Sequence, residues 1–195
     1  ARRIRSQPLQ AIHETPGHNH NLRSLPNPGR FIQTKEYAYQ AIAGMQPELK
    51  PAEVRGLVDV RMDRQQKVFG DGGELHRLQV LLEQGALRRK VGSDEQVRRG
   101  QLEVLLDGSA QDKICIRVLP DSVGSHPGLA GPFVLMGFHE AARDVVWCEL
   151  AKRSVYFDQA GDVDYYAEVY TDLWERALNP ADTRVLIKEM IKEKQ

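Results

Sequence analysis

Pro120-Asp121-Ser122-Val123-Gly124-Ser125-His126-Pro127-Gly128-Leu129-Ala130-Gly131-Pro132-Phe133-Val134-Leu135-Met136-Gly137-Phe138 is the stretch whose reading decides the fold of this chain. One apolar run, Ile114 to Leu119, leads into it, and another, Phe133 to Phe138, closes it. Between them stand Gly124, Gly128, Gly131, Pro127, Pro132 and a single histidine, His126. Two β-prone runs joined by so many turn residues predict neighbouring strands with a shaped loop. The loop is too long for a tight hairpin, and loops of that kind often carry function.

Working outward, Leu75 to Leu82 alternates, with His76, Leu78, Val80 and Leu82 on one face and Arg77 and Gln79 on the other. Asp144 to Leu150 reads as a further strand, paired with Ser154 to Phe157. Thr34 to Met45 reads as a helix with Tyr37, Ala38, Ala41 and Ile42 on one face. Pro51 suits the first turn of the next helix. There Val54, Leu57, Val58, Gln65 and Val68 trace a stripe on which Arg61 also falls. Ser93-Asp94-Glu95-Gln96 has the form of a capping box and opens a helix to about Leu106. Val163, Tyr166, Ala167, Tyr170, Leu173, Trp174 and Ala177 fit one helical stripe. Asn179-Pro180 then starts a last helix carrying Leu186, Ile187, Met190 and Ile191. Residues 14–30, rich in Pro and Gly, read as a loop, and Gly70 to Gly73 as a break. Helices and strands segregate more than they alternate. The expected fold is α+β: an antiparallel sheet packed by several helices, with a C-terminal helical pair.

A length of 195 residues fits one domain, and 41 % hydrophobic residues suffice for a core. The 27 basic and 27 acidic residues cancel, which argues against direct nucleic-acid contact by the whole chain. Arg2, Arg3 and Arg5 make the start basic, whereas Asp158 to Glu175 is acidic. Cys115 and Cys148 lie in apolar runs and read as reduced core residues of a cytoplasmic protein. No apolar run approaches the ~18 residues that span a bilayer, and no signal peptide is evident, so no membrane partner is expected.

Asn27 to Ala38 (NPGRFIQTKEYA) resembles a "PGLLQTEEYA" signature. Arg61 to Gln65 matches an "R-x-x-R-Q" helix, and Glu83 to Gly92 (EQGALRRKVG) is similar to "DEAVLRRPVG". Ile116 to Phe138 resembles "VQVLPFSAGAHPGLxGxFxLLxF". Val145 to Glu149 and Val155 to Asp158 resemble "VVYVE" and "LYLxD". Together these motifs resemble the C-terminal domain, of unknown function, of antitoxin-like Xre-type helix-turn-helix transcriptional regulators of actinomycetes, over about residues 28 to 192. The resemblance implies a sensing domain for a small-molecule ligand or a small companion protein, following a DNA-binding domain. The expected division is a lead-in segment, 1–30, with a His/Pro/Gly-rich insertion, and a single sensing domain, 28–195. Two departures stand out. No helix-turn-helix precedes the domain, although Ala1 to Leu9 resembles the family's lead-in, so a fragment and a stand-alone descendant both stay open. Residues 14–27 look inserted, and Phe31-Ile32 replaces Leu-Leu.

Several constellations carry chemistry, each beside a plainer reading. His13, His18 and His20, with Glu14, have donor types that suit zinc or nickel, but a solvated loop explains them as well. His126 suits ligand contact or proton transfer near neutral pH, or simple backbone bonding within its loop. Arg61, on an apolar stripe, either pairs internally with Glu149 or joins Arg64 in holding an anionic ligand. Gln33 and Tyr37 share a face if their helix starts early, and line a pocket or merely cap and pack. The Tyr166, Tyr170 and Trp174 row is core or partner-facing.

The first reading is therefore a non-catalytic sensing domain whose ligand-binding residues are Gln33, Tyr37, Arg61, Arg64, His126, Phe133 and Glu149. The alternative is a stand-alone enzyme for a cyclisation or rearrangement in small-molecule biosynthesis, using His126, Glu149 and His18. A purely structural interaction protein is a third. No cofactor is expected, and a homodimer stays open.

Overall fold

The computed structural model describes residues 20–24, 31–69, 75–138, 144–150 and 153–193. Among the described residues six strands form one sheet: β1 (His20–Ser24), β2 (Leu75–Glu83), β3 (Ile114–Leu119), β4 (Phe133–Phe138), β5 (Val145–Glu149) and β6 (Ser154–Phe157). Their order across the sheet is β3-β2-β1-β4-β5-β6. The helices are α1 (Lys35–Met45), α2 (Pro51–Phe69), α3 (Gln84–Arg88), α4 (Glu95–Gly108), α5 (Ala160–Arg176) and α6 (Pro180–Lys192). The α+β class and the C-terminal helical pair stand as expected.

The sheet corrects two expectations. Residues 20–24, read as part of a loop, form a strand between β2 and β4. Ladder bonds to a neighbour on each side impose a conformation that a polar five-residue run does not specify by itself. Nor are β3 and β4 neighbours, because β2 and β1 lie between them. The sheet is thus mixed: β1, β2 and β3 run parallel, and β4, β5 and β6 continue antiparallel from β1. Each parallel connection carries two helices, as a crossover requires.

Burial follows from the pleat. On one face Leu78, Val80, Leu82, Ile116, Val118, Val134, Met136 and Trp147 meet Leu102 and Leu105 of α4 and Ile187 and Met190 of α6. On the other, Leu81, Leu119, Phe133, Leu135 and Val146 meet Val169, Tyr170 and Leu173 of α5. Helices α1 and α2 form a hairpin with a small core of its own: Ala38, Ile42, Val54 and Val58. Leu57, placed on that stripe by the sequence, is 44 % exposed instead.

Caps set the helix boundaries. The Thr34 side chain accepts from Tyr37 N at 3.1 Å, and Asn179 Oδ1 accepts from Asp182 N at 2.9 Å. At α4 the cap is Asp94, accepting from Gln96 N, in place of the expected Ser93. The link between α5 and α6 is tied to β3, where Leu178 N donates to Val118 O at 2.9 Å and Val118 N donates to Thr183 Oγ1 at 3.1 Å. No helix among the described residues is long and apolar enough to cross a membrane.

Leu82 is fully buried, so Leu82→Ala should cost about 3 kcal/mol in urea unfolding; Leu129→Ala, 60 % exposed, should change stability by less than about 0.5 kcal/mol.

Candidate functional site

The sheet order dictates where the glycine-rich loop runs. Strand β3 leaves the sheet at the carboxyl end of the parallel strands. Strand β4 enters from that same end, with Val134 opposite Ser24, the last residue of β1. Residues 120–132 must therefore pass over the ends of β2 and β1, about 14 Å at ordinary strand spacing. Four contacts hold the crossing. Asp121 N donates to Gln84 Oε1 at 3.1 Å, and Arg88 pairs with Asp121 at 3.0 Å. Arg176 Nη2 donates to Val123 O at 3.2 Å. His126 Nε2 lies 3.6 Å from Glu83 Oε1, an ion pair when the imidazole is protonated.

His126 is held closely. Its side chain is only 5 % exposed, and Nδ1 is buried with no hydrogen-bond partner among the described residues. Gly128 sits between the imidazole and α5. A Cβ there would come 3.0 Å from His126 Nδ1 and 3.0 Å from Leu173 Cδ1, so only glycine fits without displacement. Phe133 packs on the same sheet face and meets Tyr166 edge-on at 4.7 Å.

A second polar system occupies the opposite face. Gln33 precedes α1 rather than sharing a helical face with Tyr37, because Thr34 is the cap. Gln33 is 5 % exposed, and its Oε1 accepts from Arg61 Nη1 at 2.7 Å. Two amide side chains clamp the neighbouring backbone. Gln65 of α2 accepts from Gln33 N at 2.9 Å and donates to Gln33 O at 3.2 Å. Gln101 of α4 donates to Ile32 O at 2.7 Å and accepts from Thr34 N at 3.0 Å. Each glutamine thus answers a backbone donor and a backbone acceptor, as a paired strand would.

Arg64, one turn beyond Arg61, acts electrostatically on Tyr156 of β6. Its charge pulls the Tyr156 phenol down, Glu149 pushes it up, and burial, the largest influence, raises it overall. Tyr156 lies opposite Trp147 in the β5–β6 register, on the same side of the sheet as Glu149. The Tyr156 hydroxyl is buried and has no hydrogen-bond partner among the described residues. Arg64 makes no hydrogen bond or ion pair to a described residue. Burial also raises the Tyr37 phenol, with Arg89 opposing.

The expected binding residues therefore fall into two groups separated by the sheet. Arg61, Arg64, Gln33 and Glu149 lie on one side, His126 and Phe133 on the other, and Tyr37 of α1 is buried, 6 % exposed. His13, His18 and Glu14 lie outside the described residues, as does the Gly70 to Gly73 break; His20 opens β1. Cys115 and Cys148 are both free thiols. Sequence reasoning missed Glu83, Gln65 as a clamp, Gln101 and Tyr156. Only the "R-x-x-R-Q" match had drawn Gln65 together with Arg61 and Arg64.

The profile of one protein family, described as "Domain of unknown function (DUF5753)", matches residues 28–189. Neither a curated protein nor a solved structure matches the chain.

Gln101→Ala leaves a carbonyl and an amide beside the core without partners, and should cost roughly 2–4 kcal/mol in urea unfolding. A second expectation concerns alkaline pH. The Tyr166 phenol is pushed up to about 12, first by burial, then by Cys148, with Tyr165 and Asp162 adding. An unfolded tyrosine ionises near ~10, so between there and the folded value the unfolded chain releases a proton that the folded chain keeps. Stability therefore falls as pH rises through that window. Tyr166→Phe should reduce the loss, read as the urea midpoint against pH, while Tyr37, Tyr156 and Cys148, all raised as well, sustain the remainder.

Proposed function

The chain belongs to the DUF5753 family, and from that premise we propose that it is a non-catalytic sensing domain of a cytoplasmic transcriptional regulator of the Xre helix-turn-helix type. The motif resemblance supports the regulator assignment. The observation that carries the sensing reading is the clamped segment before α1. Gln65 and Arg61 of α2 and Gln101 of α4 all bond residues 32–34, so α1, α2 and α4 share one polar junction. A molecule engaging Arg64, on the same helix as Arg61 and Gln65, acts on that junction directly. Its effect is the difference in its affinity for two arrangements of the helices. A small companion protein would bias the same junction by the same rule.

The alternative, an enzyme of small-molecule biosynthesis, has the His126–Glu83 pair in its favour. A general acid or base must reach the proton it moves. An imidazole 5 % exposed, wedged against Gly128, suits fixing the crossing loop better than turnover.

Native mass spectrometry of the purified chain tests the reading. Sensing predicts a retained small molecule, recovered chemically unchanged after incubation with fresh protein. Conversion of that molecule, lost in His126→Asn or Glu149→Gln, overturns it.

A further inference from the structure

We propose that the open edge of β6 is a docking strand for a second copy of this chain, paired antiparallel about a two-fold axis at Tyr156. Strand β6 is outermost in the sheet, with β5 as its one strand neighbour among the described residues. The hairpin fixes which backbone groups it leaves free. Leu150 N donates to Arg153 O at 2.8 Å, and bonded pairs alternate along an antiparallel ladder. Val155 and Phe157 therefore bond across to Cys148 and Val146, while the amides and carbonyls of Ser154 and Tyr156 point away from the sheet. The opposite edge offers no such row, because Val118 N and Val118 O are bonded to Thr183 and Leu178. So β6 meets β6 rather than β3.

Symmetry selects the register. Two copies joined edge to edge and antiparallel are related by an axis perpendicular to the sheet, so residues that meet share a face. An axis at Tyr156 sets Ser154 against Asp158, the residue after β6, and Tyr156 against its own twin; about six backbone hydrogen bonds result. An axis at Val155 leaves Asp158 outside the strand pairing and forms fewer. The side chains match in the Tyr156 register. On one face the Ser154 hydroxyl donates to the Asp158 carboxylate of the second copy, which within its own chain accepts only from Gln159 Nε2, at 3.3 Å. Exposed Arg153 falls opposite Gln159, one residue from that same carboxylate. On the other face Val155 meets Phe157, apolar against apolar. Helix α5 crosses beneath the sheet from β6, where Tyr166 lies 5.6 Å from Phe157, to β3, where Trp174 lies under Arg117. Its Tyr165, 5.4 Å from Tyr166 and 56 % exposed, therefore adds an aromatic ring on the β6 side.

Sedimentation equilibrium of the purified chain, up to about 500 µM, tests the pairing. It should show monomer and dimer in exchange with a dissociation constant on the order of 10–100 µM, since so short a seam buries less than a standard interface. Ser154→Pro removes an outward donor and leaves the ladder to β5 intact; it should weaken the dimer by about tenfold or more. Ser154→Asp sets like charges opposite each other and should weaken it about tenfold, whereas Ser154→Lys faces Asp158 and should keep it within about threefold or tighten it. Residues 154 and 158 of one strand lie roughly 13 Å apart, so the contrast between Asp and Lys reads the contact between copies. Cooperative urea unfolding of each variant shows that it has folded. A monomer at every concentration, or assemblies that grow past the dimer, overturns the proposal. An unchanged dimer in folded Ser154→Pro overturns the β6 seam, and equal weakening by Asp and Lys overturns the register.

Discussion

The ladder bonds that His20–Ser24 makes to β2 on one side and β4 on the other are the constraint from which most of the architecture follows. Because this strand runs parallel to β2 and antiparallel to β4, the sheet changes character at β1. The parallel half needs helical crossovers, supplied by α1–α2 and α3–α4. The antiparallel half needs only short connections. Because β1 and β2 separate β3 from β4, the chain between those two must travel over the strand ends. The glycines and prolines of that crossing serve the journey: Gly124, at φ +68°, turns where an L side chain would be strained.

The sheet then acts as a partition. Below it, the crossing loop, His126, Glu83 and α5 form a tightly packed block around Leu173, with Arg117 stacked on Trp174 at 4.9 Å and donating to the Trp174 carbonyl. Above it, polar side chains take the role that backbone partners usually fill. Gln65 and Gln101 give partners to Ile32 O, Gln33 N, Gln33 O and Thr34 N of an irregular segment, which lets it run between α2 and α4. Packed apolar contacts hold the lower block in one arrangement. Apolar packing against α4 and α6 holds the upper face as well, and the glutamine hydrogen bonds join the segment before α1 to it.

Much of this was legible in the sequence. Alternation and period located β2 to β6 and the long helices, and Thr34 and Asn179-Pro180 marked where two helix boundaries fall. The missing pieces share a cause. Strand β1 has one apolar residue, Leu22, among five, so nothing local distinguishes it from the loop around it. Sheet order is not written in any one segment, and the short gap between two apolar runs suggested adjacency where there is none. For the site, Arg61 stood out because charge on an apolar stripe demands a partner, and Arg64 through the "R-x-x-R-Q" match. Gln101 and Tyr156 carry no such signal, since an amide inside a helix and a tyrosine in a strand are commonplace until their neighbours are known. His126 drew notice through its loop, and its confinement by Gly128 and Leu173 emerges only from packing.

The tie between Val118, Leu178 and Thr183 has a consequence for how copies of this protein meet. Strand β3 is the longer of the two outermost strands, and the outward amide and carbonyl of Val118 are already spoken for by the α5–α6 link. An incoming strand cannot zip along that flank without first evicting Thr183, which has no exposed surface. Sideways polymerisation of the sheet, the usual hazard of an open ladder, is thereby blocked at β3. Among the described residues it is left only to the four-residue flank of β6, too short to nucleate a fibril readily.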